Sequence, residues 1–136
     1  MKTKLGALAL IFNKNKQVLL QKRVSKYEEL RKFELPGGGI QFGETPEQAV
    51  VRECLEELNV KVKVLKLVPL IWTSNYSLPD KKAHAVLIPY IAEIISGTIK
   101  PNKLEAEEVQ FVDPRNIELP ILDGVREMIE AALEVL

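Results

Sequence analysis

The sequence predicts an α/β fold, a mixed sheet covered by helices. Three observations carry that reading. Strand-like segments dominate the chain, one central helix is marked by capping residues at both ends, and one amphipathic helix closes the chain.

Residues 4–12 alternate like a strand, and residues 17–22 form a second. Between them Asn13-Lys14-Asn15-Lys16 has the polar character of a hairpin turn. Residues 25–32 are charged and read as an exposed loop. Pro36-Gly37-Gly38-Gly39 is a breaker cluster with wide backbone freedom. Residues 45–58 form the clearest helix. Thr45 is a good N-cap, Pro46 suits the first helical position, and Gln48 completes a Thr-x-x-Gln capping box. Asn59 stands where a left-handed C-cap is wanted. Residues 60–72 are rich in β-branched side chains and give one or two strands. Residues 84–95 give another, with Pro89 pointing to an edge or a bulge. A short strand follows at 108–112. Residues 121–136 form an amphipathic helix with Val125, Met128, Ile129, Ala132 and Leu136 at helical spacing.

At 136 residues and 46% hydrophobic content, the chain fits one domain, residues 1–136, with a real core. No apolar run reaches membrane-spanning length. Met1-Lys2-Thr3-Lys4 leads only into a short alternating stretch, so no signal peptide is expected. A single cysteine, Cys54, makes no internal disulfide and suits a reducing cytoplasm. Nineteen basic and nineteen acidic residues cancel, so neither nucleic acid nor a membrane surface is an expected partner. A homodimer stays open.

The central helix is unusually acidic. With Glu53 at zero, Glu57 lies at roughly 40° and Glu56 at roughly −60°, so three carboxylates share one arc of about 100°. Val51, Leu55 and Leu58 fall opposite and are expected to face the core. A solvated helix face is the plain explanation of such an arc. Against it, Glu53 and Glu57 repel at i,i+4, and all three acids sit in the half where the helix dipole disfavours anions. Only Arg52 is on hand to offset them. Converging carboxylates are hard oxygen ligands that suit Mg²⁺ or Mn²⁺. Gly37, Gly38 and Gly39 just upstream let the backbone come close to a ligand, and a carbonyl there is a neutral oxygen donor.

From Gly38 the chain reads GGIQFGETPEQAVVRECLEELNV. This stretch resembles the Nudix box, G-x5-E-x7-R-E-U-x-E-E-x-G-U with U a bulky aliphatic residue. Gly38, Glu44, Arg52, Glu53, Glu56, Glu57 and Val60 match at the required spacing. The six Gly, Glu and Arg matches would coincide by chance on the order of once in ten million starts. Cys54 replaces an aliphatic residue and Asn59 the late Gly, both mild departures away from any ligand position. The flanks, Leu19-Leu20-Gln21-Lys22-Arg23 and Phe33-Glu34-Leu35-Pro36, are similar to the strand and approach loop that precede the box.

The resemblance implies the Nudix fold, an α/β/α sandwich around a mixed β-sheet with the box as loop–helix–loop. It also implies a hydrolase that cleaves a phosphoanhydride in a nucleoside diphosphate derivative with Mg²⁺, or alternatively Mn²⁺. Glu53, Glu56 and Glu57 would hold metal, helped by the Gly37 carbonyl, with Glu53 the candidate to activate water. Arg52 and Glu44 would hold the carboxylates in place. In many family members an acid from a later loop joins the site; Glu105, Glu107 and Glu108 are the candidates here. Arg23 is a candidate phosphate contact, with an exposed strand-end arginine the alternative.

The expected substrate is a small nucleotide, first a nucleoside triphosphate cleaved to monophosphate and pyrophosphate. That choice rests on the compact length and the loop Ile40-Gln41-Phe42-Gly43-Glu44. Family members acting on ADP-ribose often carry a proline about 15 residues past the box, where this chain has Asn75, and the upstream signature of the coenzyme A subgroup is missing. Dinucleoside polyphosphate hydrolases often place a Tyr some 16 to 18 residues past the box, and Tyr76 falls in that window. Trp72 and Tyr76 are candidates to stack a base, and His84 to reach the sheet pocket, beside a plain packing role. A non-catalytic, nucleotide-binding relative of the family is the competing class, disfavoured by the intact box. With one His and no G-x-S-x-G, a serine-type hydrolase is disfavoured too.

Overall fold

Alternation in the first strand sets the layers of the molecule. The computed structural model describes residues 2–136 and opens with β1, Thr3–Ile11. Ala7, Ala9 and Ile11 turn to one face of the sheet, Leu8 and Leu10 to the other, and each set joins a different hydrophobic cluster. Helix α1, Pro46–Leu58, sits on the alanine side through Ala49, Val50, Cys54 and Leu58. Helix α2, Val125–Val135, packs on the opposite side through Val125, Met128, Ile129 and Ala132. Two helices on opposite faces of a mixed sheet make the expected α/β sandwich.

The larger sheet runs β4–β1–β7–β5, with β4 at Gly37–Gly39, β7 at Lys81–Gly97 and β5 at Val60–Leu67; β6, Trp72–Leu78, also pairs with β7. Strands β1 and β7 are parallel, while β4, β5 and β6 join antiparallel. A smaller sheet orders β3 (Phe33–Glu34), β2 (Val18–Arg23) and β8 (Ala106–Val112). Among the described residues no helix is long and apolar enough to cross a membrane.

The capping signals form as read. The Thr45 hydroxyl accepts from the Gln48 N–H at 3.1 Å, and Gln48 Oε1 accepts from the Thr45 N–H at 2.9 Å. Asn59 closes α1 in the left-handed region at φ 61°.

Several expectations need correction. The turn at 13–16 forms around the Asn13 side chain, but β1 and β2 meet at the bridge Phe12–Val18 and then part into different sheets. The glycine cluster is not a free loop, because Gly37–Gly39 is strand β4 against β1. Only half of residues 25–32 are exposed, and the segment includes a short 3-10 turn, Glu28–Leu30, which buries Leu30. Pro89 lies in the most connected strand of the sheet rather than at an edge. Its carbonyl accepts from the Val68 N–H, so its missing donor faces the link between β5 and β6, where the neighbouring strand changes. Strand β6 continues to Leu78, past the expected end at 72, and turns through Pro79-Asp80 into β7.

The buried arc of α1 is also rotated from the expected one. Leu58 is buried, but Leu55 is 57% exposed and Val51 only half-buried, while Glu57 is inside. The small Cys54 and Val50 let α1 lie close over Ala7 and Ala9, and this carries Glu57 inward. Helix α2 begins at Val125, later than 121, after Gly124 at φ +89° against the Trp72 ring; Leu136 is exposed.

Candidate active site

Strand β4 and helix α1 bring the box residues together. In the β1–β4 ladder Leu8 and Gly37 form a pair whose backbone groups point away from each other, and the Gly37 N–H donates to Glu57 Oε1 at 2.8 Å. Gly37 adopts φ +140°, and a Cβ there would meet the Ala7 carbonyl at 2.2 Å, so only glycine fits. A Cβ on Gly38 would lie 2.7 Å from the Glu53 carboxyl carbon. Gly37 thus lets β4 lie close against β1, and Gly38 leaves room for the Glu53 carboxylate.

Arg52 holds the rest. Its Nε donates to Glu44 Oε2 at 2.7 Å and Nη2 to Glu44 Oε1 at 3.0 Å, a two-pronged grip. Nη1 donates to Glu53 Oε1 at 2.8 Å and to Glu56 Oε2 at 3.2 Å, and Nη2 also reaches the Gly39 carbonyl at 2.9 Å. Glu44 in turn accepts from the Gln41 N–H at 3.0 Å. The Arg52 hydrogen bonds, with the Gln41 bond behind them, hold the Glu44 carboxyl below its ordinary range.

Glu57 lies in a different environment. Its Oε2 accepts from Gln21 Nε2 at 3.0 Å, so both oxygens rest on neutral amide donors. Burial pushes its carboxyl up to about 8, against the pull of the Gln21 and Gly37 hydrogen bonds. Burial also raises Glu53, offset in part by Arg52, with smaller contributions from Glu56 and Glu105. A buried carboxylate with no cationic partner at hand is costly as an anion, unless a cation joins it. The donor set is hard oxygen, and it suits Mg²⁺ or Mn²⁺. Among the described residues no three His, Cys, Asp or Glu side chains converge closely enough to chelate as they stand. Glu56 is the most exposed of the three acids, its side chain half-exposed and accepting from Arg52 Nη1 at 3.2 Å.

A cavity of about 760 Å³ adjoins Gly37, Gly38 and Glu57. Arg23, Tyr76 and Glu105 line it, with Lys4, Lys81 and Lys82 adding positive charge further along. Arg23 also stands 3.8 Å from Glu34. Of the three later acids, Glu105 alone lines the cavity; Glu107 pairs with Lys22 at 3.5 Å, and Glu108 is exposed. Trp72 is not brought to the cavity. It is half-buried and packs against Gly124 at the start of α2, on the edge of the core. His84 borders the cavity, but its Nδ1 lies 2.7 Å from the Thr3 hydroxyl, and strand alternation puts Thr3 on the α1 face with Ala7 and Ala9.

Sequence reasoning missed Gln21. It is fully buried, follows the apolar run Val18-Leu19-Leu20, and reaches Glu57 from the other sheet. A polar residue interrupting a buried strand was the available signal.

The family model described as the NUDIX domain matches residues 2–132. An ADP-ribose pyrophosphatase of Methanocaldococcus jannaschii is 34% identical over 79% of this chain and 60% of its own length. An 8-oxo-dGTP diphosphatase of Escherichia coli is 37% identical over 67% of each. The chain therefore spans about two thirds, or slightly less, of these relatives. A solved MutT NUDIX hydrolase from Burkholderia pseudomallei superposes with a TM-score of 0.80 at 24% identity, covering 96% of this chain and 98% of that one, which shows the shared fold.

Proposed function

This chain belongs to the NUDIX family of pyrophosphohydrolases, and from that premise we propose that it hydrolyses nucleoside triphosphates to monophosphate and pyrophosphate. The observation that carries the reading is Glu57, beside Gly37 and Gly38 in the lining of a cavity large enough for a nucleotide, with the Glu53 carboxylate packed against Gly38. Bound divalent metal neutralises the phosphate charge and lowers the pKa of the attacking water. Glu53, Glu56 and Glu57 would hold that metal, with the Gly37 carbonyl as a neutral donor and Glu105 the later acid placed to join them. Glu53, partly exposed and bridged to Arg52, takes the proton of the attacking water. Arg52 and Glu44 keep the Glu53 carboxylate beside Gly38. Arg23 meets phosphate oxygens, and Tyr76 lies along the cavity where a base would rest. The proposed partner is a small nucleotide, not a polymer.

Support for this substrate comes from the similarity to the 8-oxo-dGTP diphosphatase and from Asn75 at the position of the ADP-ribose proline. Two observations favour other substrates. The Methanocaldococcus jannaschii relative is named for ADP-ribose, and Tyr76 lining the cavity suits dinucleoside polyphosphates.

The test is a Mg²⁺ panel of the four standard nucleoside triphosphates, 8-oxo-dGTP, diadenosine tetraphosphate and ADP-ribose, ranked by kcat/KM. A triphosphate, standard or oxidised, leads the ranking. A tenfold lead for ADP-ribose or diadenosine tetraphosphate, about 1.4 kcal/mol of transition-state preference, overturns the choice. No hydrolysis of any member, with nucleotide binding intact, returns a binding protein instead.

A further inference from the structure

We propose that Gln21 is a positioning residue for Glu57, holding its carboxylate in the orientation that takes the divalent cation, an inference that rests on the metal-binding reading above. Val18, Leu19 and Leu20 are buried apolar residues of β2, and Gln21 continues the strand inward with no exposed surface at all. Its Nε2 donates to Glu57 Oε2 at 3.0 Å, across 36 residues and from one sheet to the helix on the other. Its own Oε1 has no hydrogen-bond partner among the described residues. An interior amide with an orphaned oxygen weakens the fold relative to an apolar side chain of the same size, so packing does not explain it. The geometry does. The Gly37 N–H fixes Oε1 of Glu57 from strand β4, and Gln21 fixes Oε2 from strand β2. Two donors from two directions set the plane of the carboxylate and leave each oxygen a further lone pair. Because both donors are neutral amides, they orient the anion without cancelling the charge a cation needs.

The neighbours of Gln21 extend the support. Glu34 is its ladder partner in β3, and Arg23, two residues on, stands 3.8 Å from Glu34. Gln21 thus connects the strand-end arginine of the cavity to the buried acid of α1.

The experiment measures Mn²⁺ binding by the loss of the free-ion electron paramagnetic resonance signal, in wild type, Gln21→Met, Gln21→Asn and Glu57→Gln. Gln21→Met keeps length and bulk while removing the donor. Its Mn²⁺ Kd rises about tenfold, in line with the loss of a supporting hydrogen bond. The metal concentration giving half-maximal turnover rises in parallel, while KM for the nucleotide at saturating metal stays within about twofold. A purely structural glutamine would lower the melting temperature and leave that split absent. Should Gln21→Met fail to fold, Gln21→Asn, which keeps a shortened amide, carries the same reading. Unchanged Mn²⁺ affinity in the folded Gln21 variant, with affinity lost in Glu57→Gln, overturns this inference alone. Unchanged affinity in Glu57→Gln overturns the metal-binding reading and this inference with it.

Discussion

Arg52 grips Glu44 through two hydrogen bonds, Nε to Oε2 at 2.7 Å and Nη2 to Oε1 at 3.0 Å, and uses its remaining face on Glu53, Glu56 and the Gly39 carbonyl. A lysine at this position has one ammonium group and no planar fork, so it cannot reach all these acceptors. Arg52→Lys is therefore expected to lower kcat by about 10- to 100-fold in steady-state assays with Mg²⁺. Wild-type turnover in Arg52→Lys would show that the grip has no part in the reaction.

Removing a charge from the acidic arc separates stability from activity. Glu53→Gln and Glu57→Gln each lower kcat by about two orders of magnitude or more with saturating metal, as expected for a lost ligand or base. In metal-free buffer above about pH 8, where Glu57 is ionised, the melting temperature of each variant holds or rises, since like-charge repulsion on α1 is relieved. Calorimetry and turnover on the same preparations check both halves. Near-normal turnover in both variants contradicts the assignment.

The raised pKa of Glu57 makes the metal-free protein lose stability as pH rises from the acid range to about 8. Its carboxyl sits at about 8 in the fold because it is buried, against an ordinary value of 4.5. Between those values the folded chain holds a proton that the unfolded chain has released. Stability from this group is complete below about pH 4.5 and drains away as pH rises to 8. Glu57→Gln cannot titrate there. The melting temperature of the variant minus that of wild type should therefore be larger at pH 8 than at pH 5. Equal differences at the two pH values would show that Glu57 does not titrate in this range.

Cys54 is expected to be inert. It is fully buried, and burial, joined by the nearby charges of Glu57 and Glu53, pushes its thiol up to about 12. Mass spectrometry after iodoacetamide treatment of the native protein should find Cys54 unmodified, with activity retained. Activity lost on mild alkylation and preserved in Cys54→Ala would contradict this.

Gly38→Ala tests the cradle directly. The added methyl group meets the Glu53 carboxylate at 2.7 Å, and that side chain is able to swing aside, so the fold survives while the carboxylate moves. We expect an unchanged melting temperature within about 2 °C and a kcat lowered by about 10-fold or more. Full activity would place the working position of Glu53 elsewhere.

Local rules were readable in the sequence wherever the determinants are local. Thr45, Gln48 and Asn59 specify the ends of α1 because each acts on backbone groups within a few residues. The acids of the box were equally legible, since their spacing on a helix fixes their shared face. The side that α1 buries was not. It depends on Ala7 and Ala9 in a distant strand, whose small size draws Cys54 and Glu57 inward and leaves Leu55 outside. Pro89 misled for a similar reason. A missing N–H is tolerated in a central strand where the neighbour on that side changes, and the change from β5 to β6 is a tertiary fact. Gln21 was passed over because its partner lies 36 residues away.

The two ends of the cavity are made by different parts of the chain. Gly37, Gly38 and Glu57 come from β4 and α1, locked together by a dense set of short-range bonds. Ser74, Tyr76 and Lys81 come from the β6–β7 hairpin, whose tip carries Pro79-Asp80. Replacements in the hairpin are therefore expected to alter the shape offered to a ligand while the end formed by Gly37, Gly38 and Glu57 keeps its geometry.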